Sequence, residues 1–549
     1  MKDMQLPGPA YVPTLVNTLK SAVERFPNTE FLVQSSRRLT FRQANEESAT
    51  LAKGLLAMGI GKGTRVGLLM SNKPDWVVIF LAATRIGALV VTMSTFYQSP
   101  EVNWAVEFHD IDTLIIEPRY LKNDYVERIE AALPGLAGQV GPELYLSEHP
   151  YLRRIIVWGD HSRNWALTGP QNVLDAATAR PQIDGKFLAK IEDSVHPSDP
   201  ALIICTSGST ARPKSVVHTH GTVVRATFNF LDYFDAKPGN RTLHVMNLFW
   251  LGGINFNLMP ALHVGGTLCF PDNPTSAELF RVVKEEGITR FSAWSTQGAE
   301  LRQAAAAEGL EVSHITGLAP PVDAITGQPI SPERIQSWIG MTETFGPHSI
   351  NRYGTPAPVG KGGNLGRNLP GMERLIIDPE SGNPLPAGQV GELWVRGYTL
   401  MREYYKKERH EYLTRDGFFP TGDTGLIDED GYFYFKGRRN DMIKAGGANV
   451  SPAEIEVVLM RHPDVAEAIV LGLPDPQRGE IVVAVVVKSA RASVTAEALR
   501  EVTKRALSQY KIPSEFVFLP SDEIPRTHSH KVKKPELQAL VAEKLSRSL

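Results

Sequence analysis

An apolar pentapeptide, Ala201-Leu-Ile-Ile-Cys205, runs directly into Thr206-Ser-Gly-Ser-Thr-Ala-Arg-Pro-Lys-Ser215. The first part reads as a buried strand in a sheet covered on both faces. The second part places the hydroxyls of Thr206, Ser207, Ser209 and Thr210, the flexible Gly208 and the cations Arg212 and Lys214 at the strand's end. Hydroxyls and amides exposed there are suited to holding polyphosphate oxygens. A Walker-type phosphate loop needs glycine immediately before its lysine, whereas Pro213 precedes Lys214, so that reading fails. Taken alone, the stretch is also compatible with a polar surface loop.

Upstream, strand and helix signals alternate. Thr40 with Gln43 reads as a capping box, followed by Ala44, Leu51, Leu55 and Met58 at helical spacing and a terminating Gly59. Val66-Gly-Leu-Leu-Met70 reads as a strand, Pro74 opens the next helix and Gly87 closes it, and strands follow near 88–93 and 113–116. This alternation predicts an α/β fold with parallel-type sheets. Residues 121–198 read as a less regular excursion. Around 360–437, short strands with Gly-rich turns predict a β-rich subdomain. From about 441 a smaller α+β unit is expected, with a helix after Pro452, strands near 466–472 and 481–487, and a helix near 495–507. The expected division is a large domain over residues 1–439 and a small C-terminal domain over 440–549.

Composition narrows the class. The chain has 549 residues, more than the ~250–300 that one core usually serves. Apolar residues make up 42% and charged residues 21%, which excludes a mainly disordered chain. With 58 Lys and Arg against 60 Asp and Glu, the balance argues against a nucleic-acid partner or a polybasic membrane binder. No run of about eighteen apolar residues occurs, so no membrane span is expected. Two cysteines, Cys205 and Cys269, cannot build a disulfide framework and fit a reducing cytoplasm.

Further motifs follow in order: Gly340-Met-Thr-Glu-Thr344, Gly391-Glu-Leu393, Thr421-Gly-Asp423, Gly437-Arg438, Asp441-Met-Ile-Lys444, Pro452-Ala-Glu-Ile-Glu456, Pro474-Asp475, Gly479-Glu480, Tyr510-Lys-Ile-Pro513 and Pro525-Arg-Thr527 with Lys531. With residues 206–220, they make the chain resemble, over almost its whole length, the adenylate-forming superfamily of acyl-CoA synthetases, nonribosomal adenylation domains and firefly luciferases.

The resemblance implies a large adenylating domain, a small mobile domain, and the cofactors ATP, Mg²⁺ and coenzyme A. A carboxylate would attack the α-phosphorus of ATP, giving acyl-AMP and pyrophosphate. Two anions must meet, so neutralisation and positioning are the main tasks. By this resemblance Thr206, Ser207, Gly208, Ser209, Thr210 and Lys214 would cradle phosphates, Thr342 would donate to the α-phosphate, and Glu343 would hold Mg²⁺. Asp423 would accept the ribose hydroxyls and Arg438 would contact ribose or phosphate. Lys531 would bridge the attacking carboxylate and the phosphate. A hinge at Asn440 would then withdraw Lys531 and bring Gly446 and Gly447 to the pantetheine path.

The acyl pocket implied by the same resemblance involves Phe228, Trp250, Gly252, Ile254, Trp294 and Gly317, with Phe256 nearby. Residues 246–253 lack the aspartate that amino-acid-activating relatives place there, so a hydrophobic acid without a free amino group is expected, aromatic and alicyclic acids included. The sequence ends soon after Lys531, so a diffusible acceptor, coenzyme A, is preferred. Transfer to an amine or a carrier protein is the alternative. A non-catalytic adenylate-binding protein is a third reading, motivated by departures from the family pattern: Ala211 and Ser215 in place of glycines, and Ile339 where an aromatic residue normally stacks on adenine. His530 in place of the glycine before Lys531 is a further departure, not read as inactivating. A homodimer is compatible with all three. His218/His220 and His528/His530 lack the carboxylate or cysteine company of a metal site.

Overall fold

Local signals set the first elements. Thr40 Oγ1 accepts from Gln43 N at 3.2 Å and Gln43 Oε1 accepts from Thr40 N at 2.9 Å, so the capping box opens helix Phe41–Ala57. Gly59 follows at φ +85°. Pro74 occupies the first turn of helix Pro74–Arg85, where its missing N–H costs nothing. That helix is buried on all sides except at Asp75 and touches strands of two different sheets, which explains why its apolar residues show no one-sided stripe.

The computed structural model describes residues 8–206, 213–292, 295–318, 323, 325–326, 328–331, 334–335, 337–438, 443–445, 448–450, 452–475, 479–490, 492–507, 509–527 and 530–546. They divide into two units, Met1–Glu373 with Arg396–Gly417, and Arg374–Val395 with Phe418–Leu549.

In the first unit an eight-stranded sheet runs in the order Glu403–Tyr404, Lys214–Thr219, Pro200–Thr206, Leu89–Thr92, Arg65–Leu69, Thr113–Ile116, Arg154–Trp158 and Ala166–Gly169. Its last six strands are parallel, and the first two close one edge antiparallel. A five-stranded sheet holds Arg290–Ser292, Arg241–His244, Thr267–Cys269, Glu30–Gln34 and Arg37–Thr40, antiparallel only at the last pairing. A three-stranded antiparallel sheet is built from Trp338–Met341, Gly346–Ile350 and Arg367–Asn368.

The segment 121–198 departs from the irregular excursion expected. It supplies two parallel strands of the large sheet, Arg154–Trp158 and Ala166–Gly169, and helices Tyr125–Ala132, Gln171–Ala179 and Gly185–Asp193. The long connection before Arg154, rich in Pro and Gly and with buried leucines of its own such as Leu144 and Leu152, hides this rhythm in the sequence.

Most residues of a four-stranded sheet of Met372–Ile377, Gly391–Gly397, Phe419–Ile427 and Phe433–Arg438, the expected β-rich segment, fall in the second unit. This unit also contains a five-stranded sheet centred on the long antiparallel pair Val465–Asp475 and Gly479–Lys488, with Glu515–Phe518 parallel to the latter. Helices Pro452–Leu459, Ala496–Ala506 and Lys534–Ser546 complete the α+β portion. Among the described residues no helix is long and apolar enough to cross a membrane.

Candidate active site

Thr206 and Lys214 face each other as the last paired residues of two antiparallel strands, so the hydroxyl-rich loop joins them at the sheet's end. Ser207, Gly208, Ser209, Thr210, Ala211 and Arg212 lie outside the described residues. At the root of this hairpin Ser215 bonds His109 Nε2 at 2.8 Å. His109 Nδ1 donates to Ala105 O at 2.8 Å, so Nε2 is the acceptor and the serine hydroxyl donates. Burial pulls the His109 pKa down to about 4, which keeps the ring neutral, and pushes the neighbouring Cys205 thiol up to about 11. The cysteine is thereby an inert filler.

Strand Trp338–Met341 leads into the 3₁₀ turn Thr342–Thr344, which Phe345 leaves at φ +49°. Separate segments clamp this turn. His218 Nε2 donates to Thr342 O at 2.8 Å, and burial drives the His218 pKa to about 3, so the ring is a neutral donor. Met401 N donates to Glu343 O at 2.7 Å, and the Thr344 hydroxyl donates to Gly346 O at 2.6 Å. The Glu343 side chain is 8% exposed, and its Oε1 accepts from the Tyr404 hydroxyl at 2.6 Å. Lys214 Nζ lies 5.2 Å from the centre of the same tyrosine ring. Lys214, Thr342 and Glu343 are thus brought together. Tyr404 was missed by the sequence reading, because only tertiary contact links it to a carboxylate 61 positions earlier.

The segment implied for the acyl pocket has an unusual backbone. Leu251–Gly253 is α-helical, Ile254–Leu258 is π-helical, and Met259–Val264 is again α-helical. Pro260 has no N–H to give to Phe256, which lets the wider hydrogen-bond pattern form. Trp250 packs at 5.8 Å on Phe96 and 5.1 Å on Phe249. Phe256 packs at 5.2 Å on Trp338 and 5.1 Å on Phe234. A Cβ on Gly252 would collide with Met246 Cε. Gly317 sits at φ +92°, and a Cβ there would strike the Phe291 carbonyl oxygen. Ile254 is fully buried in the main core, and the Phe228 ring lies 5.7 Å from that of His263. Trp294 lies outside the described residues. Trp338 turns onto Phe256 while Ile339, the next residue, is opposite Ser349 in the strand pairing.

In the second unit Asp423 is 3% exposed and its main chain pairs with Arg438 across adjacent strands. Gly422, at φ +75°, turns the chain just before it. Lys531 is exposed and closes a tight loop, with Thr527 N donating to Lys531 O at 2.8 Å and Lys531 N donating to Thr527 Oγ1 at 3.2 Å. His530 adopts φ +60° there, the left-handed conformation that glycine takes without strain. Asn440, Gly446 and Gly447 lie outside the described residues.

The comparisons agree with this architecture. A family model described as AMP-binding enzyme matches residues 19–405, and one described as AMP-binding enzyme C-terminal domain matches residues 454–531. A putative acyl-CoA synthetase of Bacillus subtilis is 28% identical, the match covering 97% of this chain and 98% of that protein. An indoleacetate–CoA ligase of Aromatoleum aromaticum is 29% identical, covering 92% and 94%. The crystal structure of an anthranilate CoA ligase in complex with anthranoyl-AMP superposes with a TM-score of 0.78 over the full length of both chains at 24% identity, a likeness of fold.

Proposed function

The chain belongs to the AMP-binding enzyme family, and from that premise we propose that it ligates a hydrophobic carboxylic acid to coenzyme A through an acyl-AMP intermediate. The observation that carries this reading is the clamped Thr342–Thr344 turn, which presents a buried carboxylate beside Lys214 at the end of the phosphate-loop hairpin.

The chemistry follows from charge. Lys214 and the loop at 207–210, together with Thr206, bind the triphosphate, and Thr342 donates to the α-phosphate. Glu343 fits a hard divalent cation, because Oε1 is taken by Tyr404 and the second carboxylate oxygen remains for coordination. Mg²⁺ held there would supply neutralisation of phosphate charge. Asp423 accepts the ribose hydroxyls, Arg438 contacts ribose or phosphate, and Lys531 stabilises charge as the acyl oxygen bonds to the α-phosphorus. Residues 440–549 then act as a mobile domain on a hinge at Asn440, and Gly446–Gly447 admit the pantetheine arm. The aromatic clusters at Trp250 with Phe96 and Phe249 and at Phe256 with Trp338 support an acid with an apolar body, as does the absence of aspartate from residues 246–253.

A panel of aliphatic, aromatic and polar acids, assayed for pyrophosphate release with and without coenzyme A, tests the reading. Turnover with apolar acids that depends on coenzyme A is expected, and Lys531→Ala should lower acid-dependent ATP–pyrophosphate exchange by about 10²–10³. Turnover only with polar acids, or only with amines or a carrier protein as acceptor, would overturn it.

A further inference from the structure

Glu343 and Lys214 carry opposite charges, yet each is tied to Tyr404 rather than to the other. Tyr404 is 4% exposed and lies in the short edge strand Glu403–Tyr404, opposite Val216. Its ring stands edge-on to Tyr412 at 5.0 Å, which fixes the ring plane. From this fixed ring the hydroxyl donates to Glu343 Oε1 at 2.6 Å, and the ring holds the Lys214 ammonium at 5.2 Å. The neighbouring Met401 N holds the Glu343 main-chain carbonyl at 2.7 Å, so residues 401–404 grip both the backbone and the side chain of that glutamate. A glutamate on a short turn otherwise samples several rotamers, and a lysine nearby would collapse onto it as an ion pair. Either event would remove both groups from the ligand.

We propose that Tyr404 is a positioning residue: its hydroxyl sets the Glu343 carboxylate for the nucleotide's divalent cation, and its ring keeps Lys214 apart from that carboxylate and available to phosphate. This rests on the functional reading above and adds to it the element that keeps the two charges separate and oriented.

The full-length enzyme with Tyr404→Phe, which keeps the ring and drops the hydroxyl, provides the test. The Mg²⁺ concentration for half-maximal ATP–pyrophosphate exchange should rise at least fivefold. Equilibrium titration with a fluorescent ATP analogue should show weaker binding with Mg²⁺ present and unchanged binding without it. Thioester formation from supplied acyl-AMP, which involves no triphosphate, should stay within twofold of wild type. The double variant Tyr404→Phe/Glu343→Gln should be no worse than Glu343→Gln alone, because the tyrosine acts through the glutamate. Tyr404→Leu, which removes the ring as well, should also weaken Mg²⁺-free nucleotide binding. Wild-type Mg²⁺ dependence in Tyr404→Phe, equal losses in both half-reactions, or additive effects in the double variant would each overturn the proposal. If Glu343→Gln itself keeps wild-type Mg²⁺ dependence, the assignment of Glu343 fails instead.

Discussion

Ser215 shows how one hydroxyl can stand in for a family glycine. Ser215 is 3% exposed and its hydroxyl donates to His109 Nε2 at 2.8 Å, while the Cys205 thiol lies farther from the same nitrogen at 3.7 Å. Ser215→Ala should therefore cost about 1–3 kcal/mol by leaving buried His109 Nε2 with only the weak, more distant Cys205 thiol as donor, a loss read from the midpoint of urea unfolding. An unchanged midpoint would show that the bond contributes nothing. At this scale the sequence was partly legible. Glu343, Asp423 and Lys531 stand in short motifs whose spacing survives in one dimension. Tyr404 does not, since Glu403-Tyr-Tyr-Lys-Lys407 carries no local mark of the carboxylate it touches. His218 was legible as a residue to weigh but not in its role, because a neutral donor to a main-chain carbonyl leaves no spacing signature.

At the level of elements, caps and prolines made the helices readable, and the same logic failed where a long Pro- and Gly-rich connection with buried leucines of its own separates the strands, as before Arg154–Trp158. The π-helical turn was likewise hidden: Pro260 can be seen in the sequence, but the direction in which the ladder widens depends on what the turn packs against. One of those neighbours is Gly346, at φ +108°, where a Cβ would collide with the Asn255 amide that reaches toward Phe345 O at 3.4 Å. Gly346→Ala should destabilise the protein by about 1–3 kcal/mol and displace the Glu343 turn, lowering pyrophosphate exchange. Gly239→Ala, at φ +80° with nothing within 4 Å of its Cβ, is the matched control and should lower stability less and leave exchange intact. Equal effects of the two on exchange would sink the element-level argument.

At the scale of the molecule, five buried histidines of the first unit are held neutral. Burial holds His109 and His220 at about 4 and His218, His244 and His263 at about 3, all below the ordinary value near 6.5. Since these folded-state values are depressed, the unfolded chain binds more protons as pH falls below about 6.5, and stability declines from there downward. Between pH 7 and 5 each ring costs roughly 2 kcal/mol, so unfolding should begin well above the range where carboxylates titrate. Circular dichroism against pH measures this. Neither nitrogen of His244 meets a partner among the described residues and its ring lies on Phe270, so His244→Leu should move the acid midpoint downward. A midpoint below pH 4 that His244→Leu leaves in place would refute the argument. The short strand Glu403–Tyr404, finally, has a consequence for synthesis on the ribosome. Its partner Lys214–Thr219 is translated more than 180 residues earlier. At roughly 5–20 residues per second the nascent sheet carries an unzipped border for about ten to forty seconds, a window in which a chaperone has the most to shield.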